Sequence, residues 1–390
     1  MATPLSGVRV IDMTRVMSGP LCTVMLADLG AEVIKIEAAE GDIIRQVGGH
    51  MRNGVTAMFL ALNRGKKSFT VDLRTAAGRE AVARLAATAD VFVENFRPGV
   101  VRSMGLDAET LTAAHPGLIY VSITGYGPDG PMVNEPAYDT VVQGQTGMIA
   151  RQVGADGRVD KVRSYPVDKL TGMFAAQSVL AALYARQRTG RGCTIDVPMF
   201  DAAMYYLWSD VLAEMTFADG DYTRVADTWK GTGVTETADG RLVHLAISMK
   251  EIQGTLRAVG LGELTGDERF ASLGAYLRNK RDFDRLTKEA FARWPTAEIL
   301  DRLRAEGVAA SAVLQPAEVM ADERLTGGDF FLHWEHAQAG SIRQPRPPAR
   351  FDHERQTPTV GAPMVGEHTE DLLAELGYGP DRIAELTKKG

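Results

Sequence analysis

A chain of 390 residues that is 45% hydrophobic and 24% charged has the composition of an ordinary globular protein and the length of two or three domains. Its net charge of −7 argues against a general binder of nucleic acid or anionic membrane, and no apolar run reaches the ~18 to 20 residues of a membrane span. Two cysteines, Cys22 and Cys193, fit neither a disulfide framework nor a metal-ligand spacing, so the expectation is a cytoplasmic protein with no metal, nucleic-acid or membrane partner.

The opening VRVID (8–12) reads as a strand, SGPLCTVMLADLG (18–30) as a helix, and EVIKIE (32–37) as a second strand. Strand SFTVDL (68–73), helix 78–89, strand 91–96, helix 107–114 and strand 118–127 continue the alternation. Such alternation predicts a parallel sheet flanked by helices, with ligands at the carboxyl ends of its strands. Those ends carry Arg15, Glu37, Asn95, Phe96 and Arg97. An apolar helix follows at 170–186, then a strand from Cys193 and a helix from Asp201. Residues 222–330 switch to a hairpin pattern and then helices at 250–260, 281–293 and 296–306. The fold class read from this is α/β: a Rossmann-like large domain over 1–200, a linker helix over 201–221, a smaller α+β domain over 222–330, and a return to the large domain over 331–390. The Pro-rich stretch 340–363 reads as an extended connector.

No phosphate-binding GxxxxGK[ST], GxGxxG after the first strand, HExxH or GxSxG occurs, which removes the main support for common kinases, nicotinamide enzymes, zincins and esterases. What remains are carboxylates set among small and apolar residues: Asp139 in PAYDTVVQGQTGM and Asp168 in SYPVDKLTGM. A partly desolvated carboxylate is a stronger nucleophile or base than one in water. On residue pattern alone, Asp168 as the cap of the following helix is an equally physical alternative.

Several separated segments carry a resemblance. PLSGVRVIDMTRVMSGPLCTVMLADLGAEVIKIEAAEGD, the stretch from LNRGKKSFTVDL to VENFRPGVVRSMGLD, PAYDTVVQGQTGM, PVDKLTGM, RTGRGCTIDVPMFDA and VGEHTEDLL together resemble the class III coenzyme A transferases. That family is of the formyl-CoA and carnitine CoA-transferase type and includes α-methylacyl-CoA racemases. The resemblance implies transfer of CoA from an acyl-CoA to a small carboxylic acid through covalent intermediates on Asp168. It implies no cofactor beyond coenzyme A as substrate, and an intertwined homodimer. Racemases of the family carry His-Asp where this chain has Tyr138-Asp139. A phenol with a pKa of about 10 is a poor proton shuttle at neutral pH, so transfer is favoured over racemisation. A CoA-binding protein without turnover is the remaining alternative.

By the same resemblance the nucleotide of CoA lies against Arg15, Val16 and Met17, the turn at Ala38, and Asn95 and Phe96, with Arg97, Arg102 and Lys66 as phosphate partners. Ala38 departs from the basic residue that many relatives have after the KIE motif. Gly172 and the loop Gly231-Thr232-Gly233, which is shorter than the family's usual glycine run, are candidates for close backbone approach to the reacting group, and Tyr138, Met148 and Trp229 are expected to wall the pocket. His368 is expected to fasten the C-terminal tail.

Overall fold

Side chains of β1 (Arg9–Met13) alternate between the two faces of a sheet: Ile11 and Met13 enter one apolar cluster and Val10 the other. A computed structural model describes residues 3–153, 157–223 and 233–388. In chain order β1 is followed by α1 (Ser18–Asp28), β2 (Glu32–Glu37), β3 (Lys66–Thr70), α2 (Ala76–Ala86), β4 (Val91–Glu94) and β5 (Ile119–Thr124). Then come α3 (Asp139–Gln145), α4 (Pro166–Thr189), β6 (Thr194–Pro198) and α5 (Met199–Leu207).

The six strands pair in parallel in the order β3-β2-β1-β4-β5-β6. The expected α/β class with a Rossmann-like parallel sheet is therefore present. The order reverses between β1 and β4, where loops leave in opposite directions and open a crevice at the carboxyl ends. Helices α1 and α4 cover one face through Cys22, Leu26, Ala175, Ala176 and Val179. On the other face α2 packs through Val82 and Leu85, together with Leu372 and Leu373 of the tail.

The free edge of β3 is closed by that tail. His368 donates its N–H to Ser68 O at 3.0 Å and accepts the Ser68 N–H on Nδ1 at 3.3 Å, while Thr369 Oγ1 accepts the Thr70 N–H at 2.9 Å. An otherwise open row of backbone groups is thereby satisfied.

Two compact units are present: Met1–Ala218 with Asp329–Gly390, and Asp219–Gly328. The residues read as a linker helix over 201–221 behave differently. Helix α5 ends at Leu207 and buries Met199, Ala202, Ala203 and Leu207 against Val142, Met148 and Val167, so it is part of the large unit's core. The stretch read as an extended connector over 340–363 instead begins with a strand. A hairpin forms from Phe331–His336 and Gly340–Pro345, and Arg52 and Asn53 bond to its Ser341 and Gln338 carbonyls. In the smaller unit three antiparallel strands, Val234–Glu236, Arg241–Leu245 and Ala309–Ala312, share a core of Leu242, Phe291, Ile299 and Leu303 with its helices.

Candidate functional site

The crevice beside β1 holds a cavity of about 410 Å³ lined by Thr14, Arg15, Ala38, Gly41, Phe96 and Met104, among others. It lies at the carboxyl ends of β1, β2 and β4, where the parallel topology places ligands. Asn95 clamps the backbone of Arg15 at two points: Oδ1 accepts the Arg15 N–H at 2.9 Å and Nδ2 donates to its carbonyl at 2.8 Å. So held, the Arg15 guanidinium lies 4.7 Å from the centre of the Phe96 ring. The Phe96 turn is fixed in its own right, because Glu94 accepts the Phe96 N–H at 2.7 Å. Burial pushes Glu94 up to about 7, against the bonds it accepts from Ser122 and Phe96.

Val16 next to Arg15 has φ of 69°, a left-handed conformation that costs a β-branched residue free energy. Its N–H points at Asp42 Oδ1, 3.4 Å away. Met17 is buried at the N-cap of α1. The β1–α1 turn thus runs from the cavity at Arg15 to the first residue of α1, Ser18.

Beneath the cavity lies a group of buried charges in opposite-sign pairs. Lys66 Nζ reaches Asp12 Oδ2 at 2.9 Å, Lys35 Nζ reaches Asp42 at 3.0 Å, and Arg45 meets Glu37 at 2.7 Å. This corrects the reading of Lys66 as a phosphate partner. Lys66 begins β3, at the amino end of its strand, is buried, and spends its ammonium donors on Asp12, Asn63 Oδ1 and the Pro20 carbonyl. Burial pushes it down to about 8, with Asp12 opposing that effect. Burial would raise Asp12, but Lys66 and Lys35 more than offset this and hold it far below the usual carboxylate range.

Asp168 lies on the other side of the β1–α1 turn. Pro166 opens α4 with its fixed φ, which makes Tyr165 the N-cap and puts Asp168 inside the first turn. The helix begins four residues before the sequence reading of 170–186. The capping alternative for Asp168 is therefore not what is found: its own backbone N–H is the capped donor, bound by Asp139 Oδ2 at 3.0 Å. Asp139 is buried at the start of α3, and its other oxygen accepts from Gln143 Nε2.

Helix α1 approaches α4 closely at this point. A Cβ on Gly172, one turn after Asp168, would stand 2.5 Å from the Ser18 carbonyl, so only glycine permits the approach. The Ser18 hydroxyl hydrogen-bonds the Asp168 carboxylate. Burial and then the neighbouring Asp139 charge push Asp168 up to about 6, with the Ser18 bond working in the opposite direction. Among the described residues no cation acts on it.

The structure therefore gathers Arg15, Ala38 and Phe96 around one cavity, with Asn95 orienting Arg15, and pairs Asp139 with Asp168 across the turn. Tyr138 is 65% exposed, and Met148 is buried in the cluster around Val142 rather than forming a wall. Arg97 is exposed, and Arg102 lies at the surface 3.5 Å from Glu109; neither lines the cavity. Trp229, Gly231 and Thr232 lie outside the described residues. Ser18 and Gln143 were not singled out from the sequence. The one available signal for Gln143 was its i+4 spacing from Asp139 on a short helix.

The comparisons agree with this geometry. The model of CoA-transferase family III matches residues 5–369. Succinyl-CoA:glutarate CoA-transferase of Mus musculus is 32% identical over 393 residues, covering 99% of this chain and 90% of the relative. A probable fatty acyl-CoA transferase of Mycobacterium tuberculosis is 34% identical, covering 96% and 98%. A crystal structure of a CAIB/BAIF family protein from Brucella suis superposes with a TM-score of 0.84 at 33% identity, covering 96% of this chain and all of the other.

Proposed function

The chain belongs to CoA-transferase family III, and from that premise we propose that it moves CoA from an acyl-CoA to a small carboxylic acid by covalent catalysis on Asp168. One observation carries the reading: Asp168 is a partly buried carboxylate, pushed up to about 6, facing a second carboxylate and the N-terminus of α1. Desolvation of this kind makes a carboxylate a better nucleophile.

The steps balance as follows. An Asp168 oxygen attacks the donor thioester carbonyl, forming a mixed anhydride and expelling CoA thiolate. The thiolate attacks the aspartyl carbonyl, giving an aspartyl-CoA thioester and releasing the donor acid, which leaves with one aspartate oxygen. The acceptor carboxylate attacks this thioester to form a second anhydride and free the thiolate. Attack of the thiolate on the acceptor acyl carbonyl yields the new acyl-CoA and regenerates Asp168.

Each tetrahedral step develops an oxyanion. The first backbone N–H groups of α1, at Ser18 and Gly19, have no intrahelical acceptor, and Met17 supplies no side-chain cap. They are the donors suited to that charge. The cavity at Arg15, Ala38 and Phe96 suits the nucleotide end of CoA: Phe96 offers a stacking face and Arg15 a guanidinium for phosphate.

A homodimer fits the surface of the large unit. Met173, Leu180 and Tyr184 expose one apolar stripe of α4, and Tyr205, Tyr206 and Trp208 extend it beside α5. A patch of this kind marks an interface, and a second copy of the chain is the occupant the resemblance implies.

Oxygen isotopes test the covalent route. With acceptor acid labelled with ¹⁸O in both oxygens, one label is retained in the new acyl-CoA and the other is left on Asp168. It should then appear in donor acid released in later turnovers. Donor acid that stays unlabelled through many turnovers would overturn the route.

A further inference from the structure

Beside the carboxylate pair stands a buried polar side chain to which the reading above gives no role. Gln143 is fully buried one turn after Asp139, and both ends of its amide are used: Nε2 donates to Asp139 Oδ1, and Oε1 accepts the Val162 N–H at 3.1 Å. The Val162 bond fixes which way the amide faces, since a flipped amide would set two donors against each other there and an oxygen against the Asp139 carboxylate. Asp139 Oδ2 meanwhile accepts the Asp168 N–H at 3.0 Å. Each oxygen of Asp139 thus receives a donor, which fixes the carboxylate in place beside Asp168.

We infer that Gln143 is a positioning residue of the transfer reaction: it holds the Asp139 carboxylate against the Asp168 backbone N–H and ties this carboxylate pair to the segment that ends at Val162. The inference rests on Asp168 being the acyl-accepting carboxylate. Of the elements packed against the pair, α1 presents only the uncharged Ser18 hydroxyl and α3 presents Asp139 and Gln143. On α4, Lys169 is drawn to Ser164 Oγ at 3.0 Å, and before it Arg163 is paired with Asp160 at 2.9 Å. Among the described residues no cation acts on Asp168, and the donors on Asp139 are what hold the two carboxylates side by side.

The test is the pH profile of kcat/KM in two variants of the full chain. Gln143→Met removes the donor that offsets the Asp139 charge, so more of that charge acts on Asp168, which then loses its proton at higher pH. The acid limb should move up by about one unit, seen as about a fivefold loss at pH 6 that shrinks to within about twofold at pH 8. Gln143→Glu should do the reverse. While protonated, the new carboxyl donates to Asp139 and accepts from Val162, so activity is retained at low pH and falls as pH rises and a third carboxylate must ionise. A merely structural role would lower kcat/KM by one factor at every pH, and parallel profiles in both variants would overturn the inference. Asp168→Ala separates the two levels: turnover surviving there removes the premise, whereas a dead Asp168→Ala beside unshifted Gln143 profiles removes the inference alone.

Discussion

Two sets of buried charges flank the β1–α1 turn, and they are built on opposite plans. Under the cavity, Asp12, Asp42 and Glu37 are each matched by Lys66, Lys35 and Arg45 at 2.7 to 3.0 Å. Across the turn, Asp168 faces Asp139, and among the described residues hydroxyl and N–H donors alone support the pair. Matched charges make a scaffold that resists rearrangement, because losing one partner strands the other in a low-dielectric interior. Unmatched carboxylates are costly to hold ionised, and in the proposed mechanism that cost is what makes Asp168 reactive.

The contrast breaks first at its reactive end. Asp168→Ala is expected to lower kcat by at least about a thousandfold, the scale seen when a covalent nucleophile is removed, while CoA affinity measured by calorimetry changes no more than a few-fold. Loss of both together would mean that the residue serves binding. On the scaffold side Lys66→Met strands Asp12 and should cost about 3 to 5 kcal/mol of unfolding free energy in denaturant titration. A near-neutral result would show that the pairs are not the framework described here.

A smaller effect is expected at the cavity. Arg15→Ala removes the cation over Phe96 and should weaken CoA binding by about 3- to 30-fold, the equivalent of about 0.7 to 2 kcal/mol, with a smaller effect in high salt. Stability gives the smallest and most pointed test. A carboxyl held near 6 in the folded protein binds its proton more tightly than in the unfolded chain, so Asp168 costs stability as pH rises from about 4 to about 6 and the cost persists above that. Asp168→Asn should therefore raise stability at pH 7 by on the order of 1 to 2 kcal/mol, allowing for partial solvation, and by little at pH 4. Thermal unfolding at the two pH values reads the difference.

Much of this was legible in the sequence, for reasons that can be named. The alternation of VRVID, the α1 helix and EVIKIE is short-range periodicity, and it placed Arg15, Asn95 and Phe96 at strand ends without reference to tertiary contacts. Lys66 was misplaced because its charge suggested solvent or phosphate, while its acceptor, Asp12, lies 54 residues earlier and meets it only through the sheet. Asp168 was ambiguous between cap and nucleophile because a start at Pro166 could not be told from one just after Asp168; three residues of register decide whether this aspartate caps the helix or lies within it. Ser18 and Gln143 escaped notice because their importance is set by close packing of α1, α3 and α4, which spacing does not reveal. The proline-rich stretch gave a composition signal for a connector, yet Phe331–His336 supplied a strand for its first part to pair with.

The most direct test is to trap the acyl group. Enzyme mixed with an acyl-CoA and quenched with hydroxylamine during turnover should yield, on peptide mass spectrometry, an aspartyl hydroxamate confined to the peptide containing Asp168. Its absence in actively turning-over enzyme, or a modification at Asp139 instead, would contradict the account.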